Sequence, residues 1–129
     1  MKESQVKEPS LRTERSDILE RTFDFSVRVI KFYQKMEKTE VNRILGRQLL
    51  SAATSVGANV HEAQGGQSKA DFIAKVSIAQ KECLETLYWL RLCEKTVCIA
   101  DEEMCGLLDE AGQLAKILSS ILISSKRSL

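Results

Sequence analysis

Glu62, Glu82 and Glu85, together with His61, are the residues whose types could hold a metal or move protons. A di-iron carboxylate centre in a helical protein takes a Glu-x-x-His pair on each of two helices. The residue three before His61 is Ala58, and the chain has a single histidine, so that pattern cannot be completed. Glycoside hydrolysis needs two carboxylates flanking a cleft. Glu82 and Glu85 are three apart on one helical segment, with no cleft implied between them. Cys83 could act as a nucleophile only beside a base in an electropositive setting. It falls instead on an apolar stripe, where a thiol packs as a small hydrophobe. Gly65 to Lys69 form a glycine turn opening a helix, a place that attracts phosphate. A nucleotide loop would need GxxxxGK[ST] after a strand, so a plain helix connection is the expectation. The chemistry-bearing residues therefore predict no catalytic site, no metal and no cofactor: the chain is not expected to be an enzyme.

The elements that must position these residues read as four helices. Residues 1–15 are polar and contain Pro9, and are expected to form a flexible tail ahead of one domain over 16–127. Ser16 is the expected N-cap of a first helix over about 17–37. That helix carries two apolar stripes: Leu19, Phe23, Ile30, Tyr33 and Ile18, Phe25, Val29, Phe32, Met36. The second helix, about 41–64, has the stripe Leu45, Leu49, Ala52, Val56, Val60, Ala63, and is expected to end at Gly65-Gly66 in the left-handed conformation. Ser68 caps a third helix running to about Lys95 on Phe72, Val76, Ala79, Cys83, Leu87 and Leu90. A fourth begins near Asp101, with acids at its positive dipole end and Lys126-Arg127 at its negative end. Its many apolar residues, from Met104 to Leu122, predict more than one stripe. Short links force sequential helices to fold back, which predicts an all-α, antiparallel, up-down-up-down four-helix bundle.

The bulk composition agrees. A chain of 129 residues with 43% hydrophobic and 29% charged residues is one ordinary globular domain. The formal charge is +1, which supplies no bulk attraction for a polyanion. Residues 41–95 are mildly basic, with seven Lys/Arg against five Asp/Glu, and residues 96–129 mildly acidic, with three against five. The first fifteen residues lack the apolar core of a signal peptide, and no apolar run reaches bilayer-spanning length. Cys83, Cys93, Cys98 and Cys105 make no CxxC pair and suit reduced cytosolic thiols. A cytoplasmic location is the expectation.

Two features go beyond a lone bundle. On the third helix Lys75, Ile78, Glu82, Glu85, Trp89 and Leu92 share one face, about 60° from the core stripe. That face is either a boundary with solvated charges or a subunit interface with a tryptophan anchor. On the second helix the small residues Ser51 to Ala58 allow close backbone approach. Gly57 costs about 1 kcal/mol there relative to alanine. Tight packing inside the bundle is preferred over a contact between subunits.

Three motifs are distinctive together: Ser55-x-x-Ala58-Asn59-x-x-Glu62-Ala63, Ser68-Lys69-x-Asp71-Phe72 and Glu82-x-x-Glu85-x-x-Tyr88-Trp89-Leu90. With Arg21 to Ser26 in the first helix, they resemble the four-helix-bundle family of proteins encoded in intervening sequences of bacterial large-subunit ribosomal RNA genes. The resemblance covers about residues 17–125. It implies a left-handed antiparallel bundle, assembly into rings that are typically pentamers, and no known catalysis. A related accessory protein of diversity-generating retroelements binds a reverse transcriptase and nucleic acid through a basic surface.

Carried onto this chain, the motifs nominate Ser55, Asn59, Glu62, Phe72, Glu82, Glu85 and Trp89 for a subunit interface. Relatives often carry arginines after the second helix, where Gly65-Gly66-Gln67 stand here. The remaining basic candidates for nucleic acid are Arg43, Arg47, Lys69, Lys75, Lys81 and Arg91. Two functions follow as expectations. One is a homo-oligomeric scaffold or adaptor, a ring presenting surfaces to protein partners. The alternative is a ring that binds RNA or DNA, in which repeated modest patches add up.

Overall fold

The computed structural model describes residues 11–97 and 101–127. Among these residues all regular structure is helical: α1 (Leu11–Lys35), α2 (Glu40–Gln64), α3 (Lys69–Thr96) and α4 (Asp101–Arg127). No helix of the described residues is long and apolar enough to cross a membrane.

Local chemistry accounts for most of the helix ends. Thr39 Oγ1 accepts from the Asn42 amide at 3.1 Å and so caps α2. Lys38 Nζ donates to the carbonyls of Tyr33 and Met36 at 2.7 and 2.6 Å, adding a side-chain donor at the end of α1, where the Tyr33 carbonyl also accepts from the Met36 amide at 3.0 Å. Ser68 Oγ accepts from the Asp71 amide at 3.1 Å, the expected cap of α3.

Two expected ends differ. α1 opens at Leu11, so Ser16 lies inside the helix and is not its cap. Leu11, Arg12, Glu14 and Arg15 are good helix formers, and nothing between them and Asp17 stops propagation. The expected tail over 1–15 thus loses residues 11–15 to α1, and residues 1–10 lie outside the described residues. At the end of α2, no described glycine has a positive φ. Gly65 sits at φ −95° and ψ 10°. The turn closes instead by short bonds from the Gly65 and Gly66 amides to the Glu62 and Ala63 carbonyls, at 3.1 and 3.2 Å.

Each helix contributes one stripe to a single core. Its fully buried members include Phe25, Val29 and Phe32 of α1, Leu49 and Val56 of α2, Cys83 and Leu90 of α3, and Leu107, Leu114 and Leu118 of α4. α1 neighbours α2, α2 neighbours α3, α3 neighbours α4, and α4 returns to α1; the diagonal pairs do not meet. The cross-section is thus a four-cornered prism. The broad apolar set of α4 is spent inside it: Met104, Ala111, Ile121 and Leu122 are buried, Leu108, Ala115 and Ile117 pack against the core, and only Ile123 is a large exposed apolar residue there. The expected second stripe on α4 is therefore core, because two neighbouring helices draw a wide arc of its surface inward.

α1 and α2 approach through small residues. A Cβ on Gly57 would lie 3.2 Å from the Thr22 carbonyl oxygen, and one on Gly46 would collide with the Tyr33 ring. Ser26 Oγ lies 3.5 Å from the Ala53 carbonyl oxygen. Later residues of α1 thus meet earlier residues of α2. The close approach expected at Gly57 is made within the chain.

Candidate subunit interface

The α2–α3 edge carries most of the residues nominated for an interface. Lys75 Nζ pairs with Glu62 Oε1 at 2.7 Å and ties α3 to α2. Both side chains are about half exposed, so the pair orients more than it stabilises. Asn59 Nδ2 donates to the Ser55 carbonyl at 2.8 Å, which holds the amide along its own helix. Trp89 Nε1 donates to Glu85 Oε2 at 3.0 Å, and Trp89 meets the Tyr88 ring edge-on at 5.1 Å between centroids. Half-buried Trp89 packs one side on the core, while Ile44, Ile78 and Tyr88 stand exposed nearby in sequence register. The Glu82 carboxylate makes no hydrogen bond or ion pair among the described residues. Phe72 departs from the nominated set. It is only 8% exposed and belongs to the core, because its position on α3 is in phase with Val76 and Ala79.

A second apolar surface lies on α1, where the sequence shows a stripe beyond the one a lone bundle requires, as expected for a subunit of an assembly. Phe23 is 61% exposed, Ile30 is exposed and Val27 is half-buried. Their four- and three-residue steps place them on one face, tilted toward α2. Leu19 and Tyr33 of the same stripe pack partly on the core. On α2, Arg43 and Arg47 are both exposed and neither is paired among the described residues.

The basic residues nominated for nucleic acid are not gathered on one face. Arg43 and Arg47 are exposed, four residues apart on α2. Lys75 is engaged with Glu62. Lys81 and Arg91 are exposed on the outer side of α3, and Lys69 opens α3 at the far end from Arg43. Arg43 and Arg47 are the adjacent pair that remains.

The chemical environment of Cys83 is that of a packed thiol. Its Sγ lies 3.3 Å from the Ala111 carbonyl and donates to it. Burial pushes the thiol up to about 12, with a smaller push from the Glu110 charge. Burial also raises Cys93. Both shifts favour the neutral thiol over the thiolate. Among the described residues no group of three or more His, Cys, Asp or Glu side chains is arranged to hold a metal.

The strongest polar link between elements was not legible in the sequence. Arg21 grips Glu110 with two bonds, Nε to Oε2 at 3.0 Å and Nη2 to Oε1 at 2.8 Å, and adds Gln113 Oε1 at 3.0 Å. The bond to Glu110 holds the Arg21 guanidinium above its ordinary range, against the opposing effect of burial. Buried Thr22 beside it donates to the Ile18 carbonyl at 2.7 Å, which lets a hydroxyl sit in the core where α2 comes close. Arg21 is in the motif segment that resembles the family, and that was its only signal.

Comparison with known proteins follows the same lines. No curated protein matches the chain. A crystal structure of a protein of unknown function from the S23 ribosomal protein family of Bacteroides thetaiotaomicron is similar, at 34% identity and a TM-score of 0.78, covering 84% of this chain and 97% of that one. The family model for the 23S rRNA-intervening sequence protein matches residues 14–120. With most of its length matched, the chain belongs to the 23S rRNA-intervening sequence protein family.

Proposed function

We propose that this protein is a non-enzymatic, homo-oligomeric scaffold or adaptor of the cytoplasm, a ring of five subunits. Each subunit is an antiparallel up-down-up-down bundle with a left-handed twist. The observation that carries this reading is the presence of two exposed apolar surfaces outside a complete core: Phe23 and Ile30 on α1, and Ile44, Ile78 and Tyr88 around half-buried Trp89. Scattered surface apolar residues are ordinary, but aromatic residues clustered with aliphatic ones on a defined face mark association. The buried neutral thiols Cys83 and Cys93 suit a reducing compartment. In multi-angle light scattering the protein is expected to run at about five times its 14.5 kDa subunit mass. A monomer at high concentration would overturn this reading.

A second reading rests on the exposed, unpaired arginines Arg43 and Arg47, four residues apart on one flank of α2. A ring repeats this pair in every subunit and can hold a nucleic-acid backbone. Binding to structured RNA is then expected to fall steeply as salt rises, since each phosphate contact releases counterions. Absence of binding at low salt removes this reading.

A further inference from the structure

Resting on the adaptor reading, we propose that the outward face of α3 docks an acidic amphipathic helix of a partner protein. Lys81, Leu84, Tyr88, Leu92 and Lys95 step by three and four residues, so they form one stripe along α3, with Arg91 beside it. Leu84 is 54% exposed and Tyr88 57%, while Leu92 is half-buried. Tyr88, Arg91, Leu92 and Lys95 line a recess of about 260 Å³. The stripe lies on the far side of α3 from Val76, Cys83 and Leu90, which face the core, so no other helix of the bundle covers it. At 100° per residue it also lies about 90° round the helix from Ile78 and Trp89. It therefore stays open when a neighbouring subunit covers those two.

The charges choose the partner. Lys81, Arg91 and Lys95 are exposed, and none of them is paired among the described residues. The acids of the same stretch turn elsewhere. Glu85 accepts from Trp89 Nε1 at 3.0 Å, Glu82 stands on the α2 flank of α3, and Glu94 on its α4 flank. The stripe thus offers positive charge and apolar surface with no carboxylate between them. From Lys81 to Lys95 it rises about 21 Å, which is the length of a four-turn helix. A partner helix with one apolar stripe interleaves its side chains with Leu84, Tyr88 and Leu92 at the same three-four spacing, and one of them enters the recess. Carboxylates on either side of that stripe then meet Lys81, Arg91 and Lys95. A nucleic-acid backbone fits this face less well. Its phosphates would satisfy the three cations and leave Leu84 and Leu92 without an apolar partner.

Two fluorescent helical peptides with the same leucine stripe, one flanked by glutamates and the other by lysines, test this surface by anisotropy against the intact protein. The acidic peptide is expected to bind, and the basic one to bind about tenfold more weakly or less. The triple variant Lys81→Glu, Arg91→Glu, Lys95→Glu changes exposed side chains only and is expected to invert that preference with unchanged helical circular dichroism. If the triple variant fails to fold, Leu84→Gln tests the apolar half of the stripe and is expected to weaken the acidic peptide. Four results overturn the proposal: no binding of the acidic peptide, equal binding of both peptides, a preference that charge reversal leaves unchanged, or an unaltered affinity in Leu84→Gln. Tighter binding of single-stranded RNA or of phosphatidylserine vesicles at these same residues overturns it as well. The light-scattering mass is a separate readout. A five-subunit protein that ignores the peptide keeps the oligomer reading and loses this surface, and a monomer that binds the peptide does the reverse.

Discussion

Phe25→Ala is expected to lower the stability of the fold by about 3–5 kcal/mol, a large part of the roughly 5–15 kcal/mol that holds a domain of this size together. Phe25 is fully buried at the centre of α1 and sits among core residues of the other helices. Truncation removes its apolar surface from the core and leaves a cavity that helices anchored by their neighbours cannot fill. Phe23, two residues away on the same helix, is the internal control. It is 61% exposed, and in the isolated subunit Phe23→Ala is expected to change stability by less than about 0.5 kcal/mol. The comparison is made from urea midpoints at one dilute protein concentration, because assembly adds a concentration-dependent term. Equal midpoints for the two variants would contradict the placement of α1.

Gly57→Leu is expected to cost up to about 2 kcal/mol, despite leucine being the better helix former. The helix propensity gain is about 1 kcal/mol. Against it stands overpacking, which costs about 1–3 kcal/mol and more where backbone must move. The atom met by the new Cβ is the Thr22 carbonyl oxygen, at 3.2 Å, and a main-chain atom cannot turn aside as a side chain does. Gly112 on α4 supplies the opposite case, since a Cβ there meets nothing within 4 Å. Gly112→Ala is expected to raise stability by up to about 1 kcal/mol through propensity alone. Thermal or urea unfolding of the two variants separates a glycine kept for closeness from one that is not; a stabilised Gly57→Leu protein would refute the α1–α2 approach.

Assembly and fold meet at this same contact. The residues that bring α1 against α2 inside the bundle also set how Phe23 and Ile30 stand beside α2. A substitution that spreads the two helices should therefore weaken both the subunit and its association.

Much of the architecture was legible in the residues. Thr39 and Ser68 precede helical patterns and cap them, and the stripes through Phe25, Val56, Cys83 and Leu114 became the core. These are local matters: a helix repeats every 3.6 residues, so apolar spacing and a capping hydroxyl report its phase and its start. The start of α1 differs from the expectation because Ser16 has the chemistry of a cap but sits among residues that propagate a helix equally well. Phe72 was placed at the surface by its motif and in the core by its phase, and phase decided. What only the tertiary structure decided is which faces meet. It joined Arg21 to Glu110 across 89 positions of sequence, absorbed the apolar width of α4, and left Phe23 and Ile30 uncovered on the side toward α2. Periodicity fixes the direction of a side chain about its own helix axis, whereas burial depends on whether a neighbouring helix stands in that direction, and that is set by packing all four at once.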